Sequence, residues 1–198
     1  MIRDIRLYGD AVLRRPADAV SDFGGHLRQL ADDLLATQDD AGAVGLAAVQ
    51  IGVNLNVFSI DGTQMHRRGQ REVLVNAVLA DADGEEVEEE GCLSFPGIFA
   101  EIARPKWVAI RARDINGEIV EREAKGYLAR AYLHEIDHLS GRLFTDLMDP
   151  DTRVEVMRKL KSVLAQRRPE NPAPRVRCGD VPYRPSAADS AGYGIDDP

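Results

Sequence analysis

The sequence has little that suits an exported, membrane-spanning or nucleic-acid-coating protein. Its 198 residues include only two cysteines, Cys92 and Cys178, which cannot form a disulfide framework for a chain of this size. No apolar run approaches the roughly 18–20 residues that cross a bilayer, and the first residues lack the apolar stretch of a signal peptide. Acidic residues outnumber basic ones, 33 to 25, giving a net charge of −8. We therefore expect a cytoplasmic protein that neither enters membranes nor binds DNA.

Length and composition favour one folded domain followed by a tail. Hydrophobic residues make up 44% of the chain and charged residues 29%, which is ordinary for a globular domain. Six of the ten prolines fall in the last 30 residues, where little could form a core. We predict an α+β domain over residues 1–168 and a flexible, Pro-rich tail over residues 169–198.

The spacing of apolar residues predicts the main elements. Helical periodicity covers about 24–38 and about 126–139, and the Asp149-Pro150 cap opens a helix that runs to Arg168. Apolar and β-branched runs predict strands over 53–60 and 72–80, separated by a polar loop. Asn116-Gly117 stands between two short strand-like runs and predicts a hairpin.

A metal-binding pattern lies on the predicted helix over 126–139. His134 to His138 reads H-E-x-x-H, and residues four apart lie on one face of a helix, so both imidazoles can reach one ion. Glu135 can then project near an open coordination position and take a proton from water. A surface helix with scattered His and Glu residues is the alternative, and it is weakened because Tyr127 and Ala131 share the stripe of the two histidines.

Two imidazoles need a third ligand and an open position to make a catalytic site. No histidine follows His138, and the nearest downstream carboxylates, Asp146 and Asp149, show no metzincin-type spacing. Upstream, Cys92 lies between Gly91 and a Leu-Ser pair. A thiolate is a strong ligand for a borderline divalent ion, which keeps it deprotonated.

Three motifs in order resemble the peptide deformylase family, whose members carry G-x-G-L-A-A-x-Q, E-G-C-L-S and H-E-x-x-H. The chain has matching segments at residues 43–50, 90–94 and 134–138. The resemblance runs from about Arg3 to Gln166. It implies antiparallel sheets packed around a central metal-binding helix, and removal of the N-formyl group from the first methionine of new proteins, with release of formate.

The resemblance also implies a role for each matching residue. One divalent ion would be bound by Cys92, His134 and His138; it is natively Fe²⁺ and can be replaced by Zn²⁺, Ni²⁺ or Co²⁺. Glu135 would act as general base, while the side chain of Gln50 and the backbone N–H of Leu93 would hold the oxyanion. The remaining assignments are an extended peptide bound by Val44, Gly45 and Gly91, and a ligand loop supported by Glu90.

The chain departs from the family pattern at three positions. Ala43 replaces the first glycine of its motif, Val49 stands where proline is frequent, and Leu133 replaces the glutamine before the first histidine. Ala43 limits access to positive φ, so the path of its loop can differ. Leu133 removes a polar side chain beside the ligands.

Other functions and partners remain open at this point. The departures leave room for another amide hydrolase or peptidase on the same site, and a closed site with a fourth protein ligand would instead indicate a non-catalytic zinc protein. The run at Glu85, Glu86, Glu88 and Glu89 reads as solvated surface. Residues 150–168 hold six basic and two acidic side chains, a net of +4, which a solvated face explains adequately. The resemblance implies a more specific hypothesis, transient contact with ribosomal RNA, because peptide deformylases act on nascent chains.

Overall fold

The computed structural model describes residues 1–64 and 71–166, and the elements in those ranges set the architecture. The predicted tail over 169–198, the boundary at 168 and the last residues of the predicted C-terminal helix lie outside them. The helices are α1 (Gly25–Ala41), α2 (Gly126–Leu139) and α3 (Pro150–Ala165). The strands are β1 (Gly45–Ala47), β2 (Val57–Asp61), β3 (Arg71–Asp83), β4 (Glu86–Gly91), β5 (Phe99–Arg104), β6 (Trp107–Arg113) and β7 (Ile119–Lys125).

The strands form two antiparallel sheets. The larger one has the order β1-β2-β3-β6-β7, and β4 pairs with β5 in a separate hairpin. Successive side chains of β2 and β3 point to opposite faces of the sheet. The apolar side chains on one face belong to one buried cluster and those on the other face to a second, so both faces of these strands are buried. One cluster includes the inner residues of α2 and α3, and the other includes those of α1. The α+β prediction, with antiparallel sheets around the motif-bearing helix, is therefore confirmed.

Local sequence explains where the elements begin and end. Helix α1 ends at Gly42, whose φ of 62° is left-handed and is favoured by a residue without Cβ. Helix α3 begins after Asp149, whose carboxylate accepts hydrogen bonds from the N–H groups of Asp151 and Thr152. The β6–β7 hairpin turns at Gly117, whose N–H donates to the carbonyl of Asp114. The Asp149 cap and the turn at Asn116-Gly117 agree with the prediction, whereas α1 continues to Ala41, beyond its predicted end at about residue 38.

Two parts of the fold differ from the prediction. Strand β2 begins at Val57 rather than at residue 53. Two asparagine side chains hold the chain in a bend before the strand. Asn54 donates a hydrogen bond to Asp18, and Asn56 accepts one from the N–H of Ala77. The β4–β5 hairpin was not predicted. None of the helices in the described part of the chain is both long and apolar enough to cross a membrane.

Candidate metal and catalytic site

The fold brings the predicted metal ligands together. Cys92 directly follows β4, whereas His134 and His138 lie one turn apart on α2. The Cys92 sulfur and one ring nitrogen of each histidine all lie within 4.8 Å of one another. Within the described residues this group has three members and no fourth His, Cys, Asp or Glu, so the arrangement fits an ion with an open coordination position.

Glu90 orients one of these ligands. Its Oε1 lies 2.7 Å from Nδ1 of His134, so Nδ1 carries the hydrogen and leaves the lone pair of Nε2 for a metal. Arg104 binds the same carboxylate through two hydrogen bonds, of 2.9 and 2.6 Å, and Arg130 adds one of 3.0 Å. Burial raises the pKa of Glu90, but the hydrogen bonds from His134 and Arg104 outweigh it and hold that pKa far below the ordinary value.

Arg104 and Arg130 form a charged frame that sequence motifs did not reveal. Both side chains are about 95% buried, and Arg104 also contacts Asp137 at 2.6 Å, one residue before His138. A single carboxylate, Glu90, thus lies between two guanidinium groups and an imidazole. No pattern marks Arg104 in the sequence; only its place on β5, across from β4, brings it to the site.

Glu135 points into the same space. It is 3% exposed, and its Oε2 has no hydrogen-bond partner within the described residues. Burial raises the pKa of this carboxyl to about 7, because the charged form loses hydration. A buried carboxylate with an unused oxygen beside a Cys/His/His cluster can accept a proton from water or from a substrate.

Gln50 reaches the cluster from a short 3-10 helix over Ala48–Ile51. Its Oε1 accepts a hydrogen bond of 2.9 Å from the N–H of Ala47, which fixes the amide so that Nε2 faces Cys92 at 3.6 Å and Ser94 at 3.3 Å. The side chain is 2% exposed. Leu93 directly follows Cys92 and lines the pocket that opens onto these groups.

A pocket of about 110 Å³ opens onto these groups. The predicted substrate residues Val44, Gly45 and Gly91 all line it. At two of them an added Cβ would force a neighbouring side chain to move. A Cβ on Gly45 would lie 2.9 Å from Cγ and Cδ of Glu135, and one on Gly91 would lie 2.6 Å from Cδ1 of Phe99. Backbone at these positions therefore approaches the site more closely than a side chain would allow.

The three departures from the motifs leave this geometry intact. Ala43 needs no positive φ, because the left-handed residue of the turn is Gly42. Val49 is completely buried and Leu133 is 7% exposed, and both belong to the apolar cluster beneath α2. Leu133 therefore contributes to packing.

Comparison with known proteins decides the family. The family model described as polypeptide deformylase matches residues 2–154. The chain belongs to this family. A peptide deformylase from Thermodesulfovibrio yellowstonii is 38% identical over 161 residues, which is 81% of this chain and 98% of the relative. One from Acidothermus cellulolyticus is 44% identical over 162 residues, or 81% of this chain and 86% of the relative.

Solved structures agree with the sequence comparison. A crystal structure of a peptide deformylase from Legionella pneumophila has a TM-score of 0.78 and 38% identity, covering 85% of this chain and all of that one. The enzyme from Thermus thermophilus gives 0.77 and 37%, covering 84% and 97%. The chain is thus a metal-dependent hydrolase that removes the N-formyl group from the first methionine of newly synthesised proteins and releases formate.

Proposed function

We propose that Cys92, His134 and His138 hold one divalent ion, natively Fe²⁺, which Zn²⁺, Ni²⁺ or Co²⁺ can replace. The proposal is supported by the convergence of one sulfur and two nitrogen donors within 4.8 Å, a set suited to late first-row metals. When bound, such an ion supplies Lewis acidity toward the formyl oxygen and lowers the pKa of water from 15.7 to about 7. The preference for iron follows from the family resemblance.

Glu135 is the proposed general base. Its unpartnered Oε2 accepts the proton of the attacking water and later passes it to the departing amine of methionine. Because the side chain is buried beside Gly45, it has little freedom to turn away from the reacting centre. Glu90 holds His134 in one tautomer while this proton moves.

The oxyanion that forms at the formyl carbon is the proposed target of Gln50 and Leu93. The Gln50 amide is already fixed by Ala47, so its N–H groups need no reorganisation when charge develops. The backbone N–H of Leu93 is the second donor. Preorganised donors of this kind are typically worth about 10²–10³ in rate each.

The peptide is proposed to lie along the pocket wall made by Val44, Gly45 and Gly91. Among residues 1–64 and 71–166, strand β1 has one strand neighbour, β2, so its other edge can pair with an extended substrate. Val44, Leu93 and Phe99 give the pocket an apolar lining that suits the methionine side chain. Residues 1–168 form the proposed catalytic unit.

The observation that carries the proposal is the convergence of the three ligands with Glu135. The test combines metal analysis of anaerobically purified protein with formate release from a formyl-Met tripeptide. We expect one ion per chain, loss of activity on chelation, and no cleavage of the N-acetylated or unblocked tripeptide. Glu135→Ala should keep the metal and lose turnover. Metal-free active protein, or a fully active Glu135→Ala variant, would contradict these roles.

We further propose a transient contact between α3 and ribosomal RNA, and hence a cytoplasmic location. Arg158, Lys159 and Lys161 are exposed on α3, and the enzyme acts on nascent chains. Ribosome pelleting should weaken steeply with salt and on reversal of these charges to glutamate. Pelleting that resists both changes would contradict the contact.

A further inference from the structure

One buried amide outside the predicted site binds the segment that forms the pocket wall. Gln38 lies in the last turn of α1 and is 1% exposed. Its Nε2 donates to two successive carbonyls, of Ala43 at 3.1 Å and of Val44 at 2.9 Å. Its own carbonyl accepts a hydrogen bond of 3.0 Å from the N–H of Ala43. A single residue therefore binds this segment through both its side chain and its backbone.

The segment held by Gln38 faces the reacting groups. Ala43, Val44 and Gly45 line the pocket, and β1 begins at Gly45. The backbone of Gly45 lies against the Glu135 side chain. A shift at residues 43–44 would therefore move the edge that is proposed to pair with the substrate.

The chemistry of Gln38 argues against a role in packing alone. Its Oε1 is buried and has no hydrogen-bond partner in the described residues, so the site retains an amide that is only half satisfied. A buried polar atom without a partner destabilises a fold, and an apolar side chain of the same length would avoid that cost. The donor half of the amide, aimed at two adjacent carbonyls, explains why a polar residue suits this position.

We propose that Gln38 is a positioning residue that aligns the Val44–Gly45 edge for extended peptide substrates. This inference rests on the proposed peptide-binding role of that edge. Gln38 acts through the backbone it holds and does not touch the reacting atoms. Replacing Gln38 should therefore raise the KM of substrates that extend along β1 more than the KM of shorter ones.

The test compares two substrates in the Gln38→Met variant, which keeps the length of the side chain but has no N–H donor. For a formyl-Met tripeptide, we expect KM to rise about tenfold, with kcat within about twofold of the wild type. For formyl-methionine amide, which has no residues to lie along β1, KM should stay within about twofold. Gln38→Leu is the second variant and should show the same selective effect.

Thr37→Val is the matched control. Thr37 is the preceding residue, is 2% exposed, and forms hydrogen bonds with the carbonyl of Asp33 and the N–H of Arg3, away from the pocket wall. It should lower thermal stability and leave both KM values unchanged. The ratio of the two KM values does not depend on the folded fraction of a sample, so a partly unfolded variant still gives an answer.

The outcomes separate this inference from the proposed function. An equal change of KM for both substrates, or no change for either, would overturn the role of Gln38 while the wild type still releases formate. A wild-type protein that releases no formate from either substrate would overturn both proposals.

Discussion

Replacement of Gly45 by alanine tests how closely the pocket wall must approach the proposed base. Gly45 does not have a positive φ, so the backbone accepts alanine without strain. The added Cβ would lie 2.9 Å from Cγ and Cδ of Glu135 and closer still to Oε1, whereas ordinary contact begins at 3.4 Å. Glu135 or the wall must therefore move by at least about half an ångström. Since a misplacement of about 1 Å can cost about 10² in rate, we expect kcat/KM to fall about 10–100-fold.

Formate release and metal analysis on the same preparation measure this effect. The metal content of Gly45→Ala should match that of the wild type, because Cys92, His134 and His138 are not displaced. Gly25→Ala, at the start of α1, is the control, since its added Cβ meets no atom within 4 Å. A Gly45→Ala enzyme with wild-type kcat/KM would refute the argument that Glu135 needs this close approach.

Three further substitutions test the oxyanion donor, the carboxylate that orients His134, and the apolar core. Gln50→Leu should lower kcat by about 10²–10³ in the formate assay, because the oxyanion loses a donor, and should keep its metal, because Gln50 is not one of the proposed ligands. Glu90→Gln should weaken metal binding about 10–100-fold in a chelator competition, because His134 loses its charged partner; Glu88→Gln, on the exposed part of β4, is its control. Leu34→Ala should lower the free energy of unfolding by about 2–5 kcal/mol in urea, because Leu34 is fully buried.

Each of these changes has a result that would contradict its premise. Unchanged turnover in Gln50→Leu with a full complement of metal would remove Gln50 from the mechanism. Equal metal affinity in the Glu90 and Glu88 variants would show that the His134 contact does not influence the ion. A Leu34→Ala protein as stable as the wild type would show that the residues packed against α1 can fill the space left by the leucine side chain.

The sequence predicted the features that depend only on neighbouring residues, namely the spacing of the two histidines on a helix and the turn of one hairpin. The His134–His138 spacing follows from helical geometry, and the β6–β7 hairpin follows from Asn116-Gly117, so the sequence alone predicts both. The ligand role proposed for Cys92 came from its motif. The fold brings its sulfur near the histidines, although the motif lies more than 40 residues upstream of them.

The missed features depend on contacts between distant segments. The β4–β5 hairpin was not predicted, because the acidic run over 85–90 does not alternate between apolar and polar residues. The buried residue of β4 is itself polar, Glu90. Arg104 reaches Glu90 only because β5 pairs with β4. The pairing of β4 with β5 cannot be derived from spacing along the chain. Gln38 was missed for a different reason: its partners lie only five and six residues further on, but no motif marks the residue.

The proposed ligands come from two separate layers, and this has a consequence for folding. Cys92 follows the small sheet, whereas both histidines belong to the helix packed on the large sheet. An ion held by all three would join these layers, and a cation that binds only the native chain shifts the unfolding equilibrium toward that chain. The supply of the cation in the cell would then govern the heat tolerance of this enzyme as well as its rate.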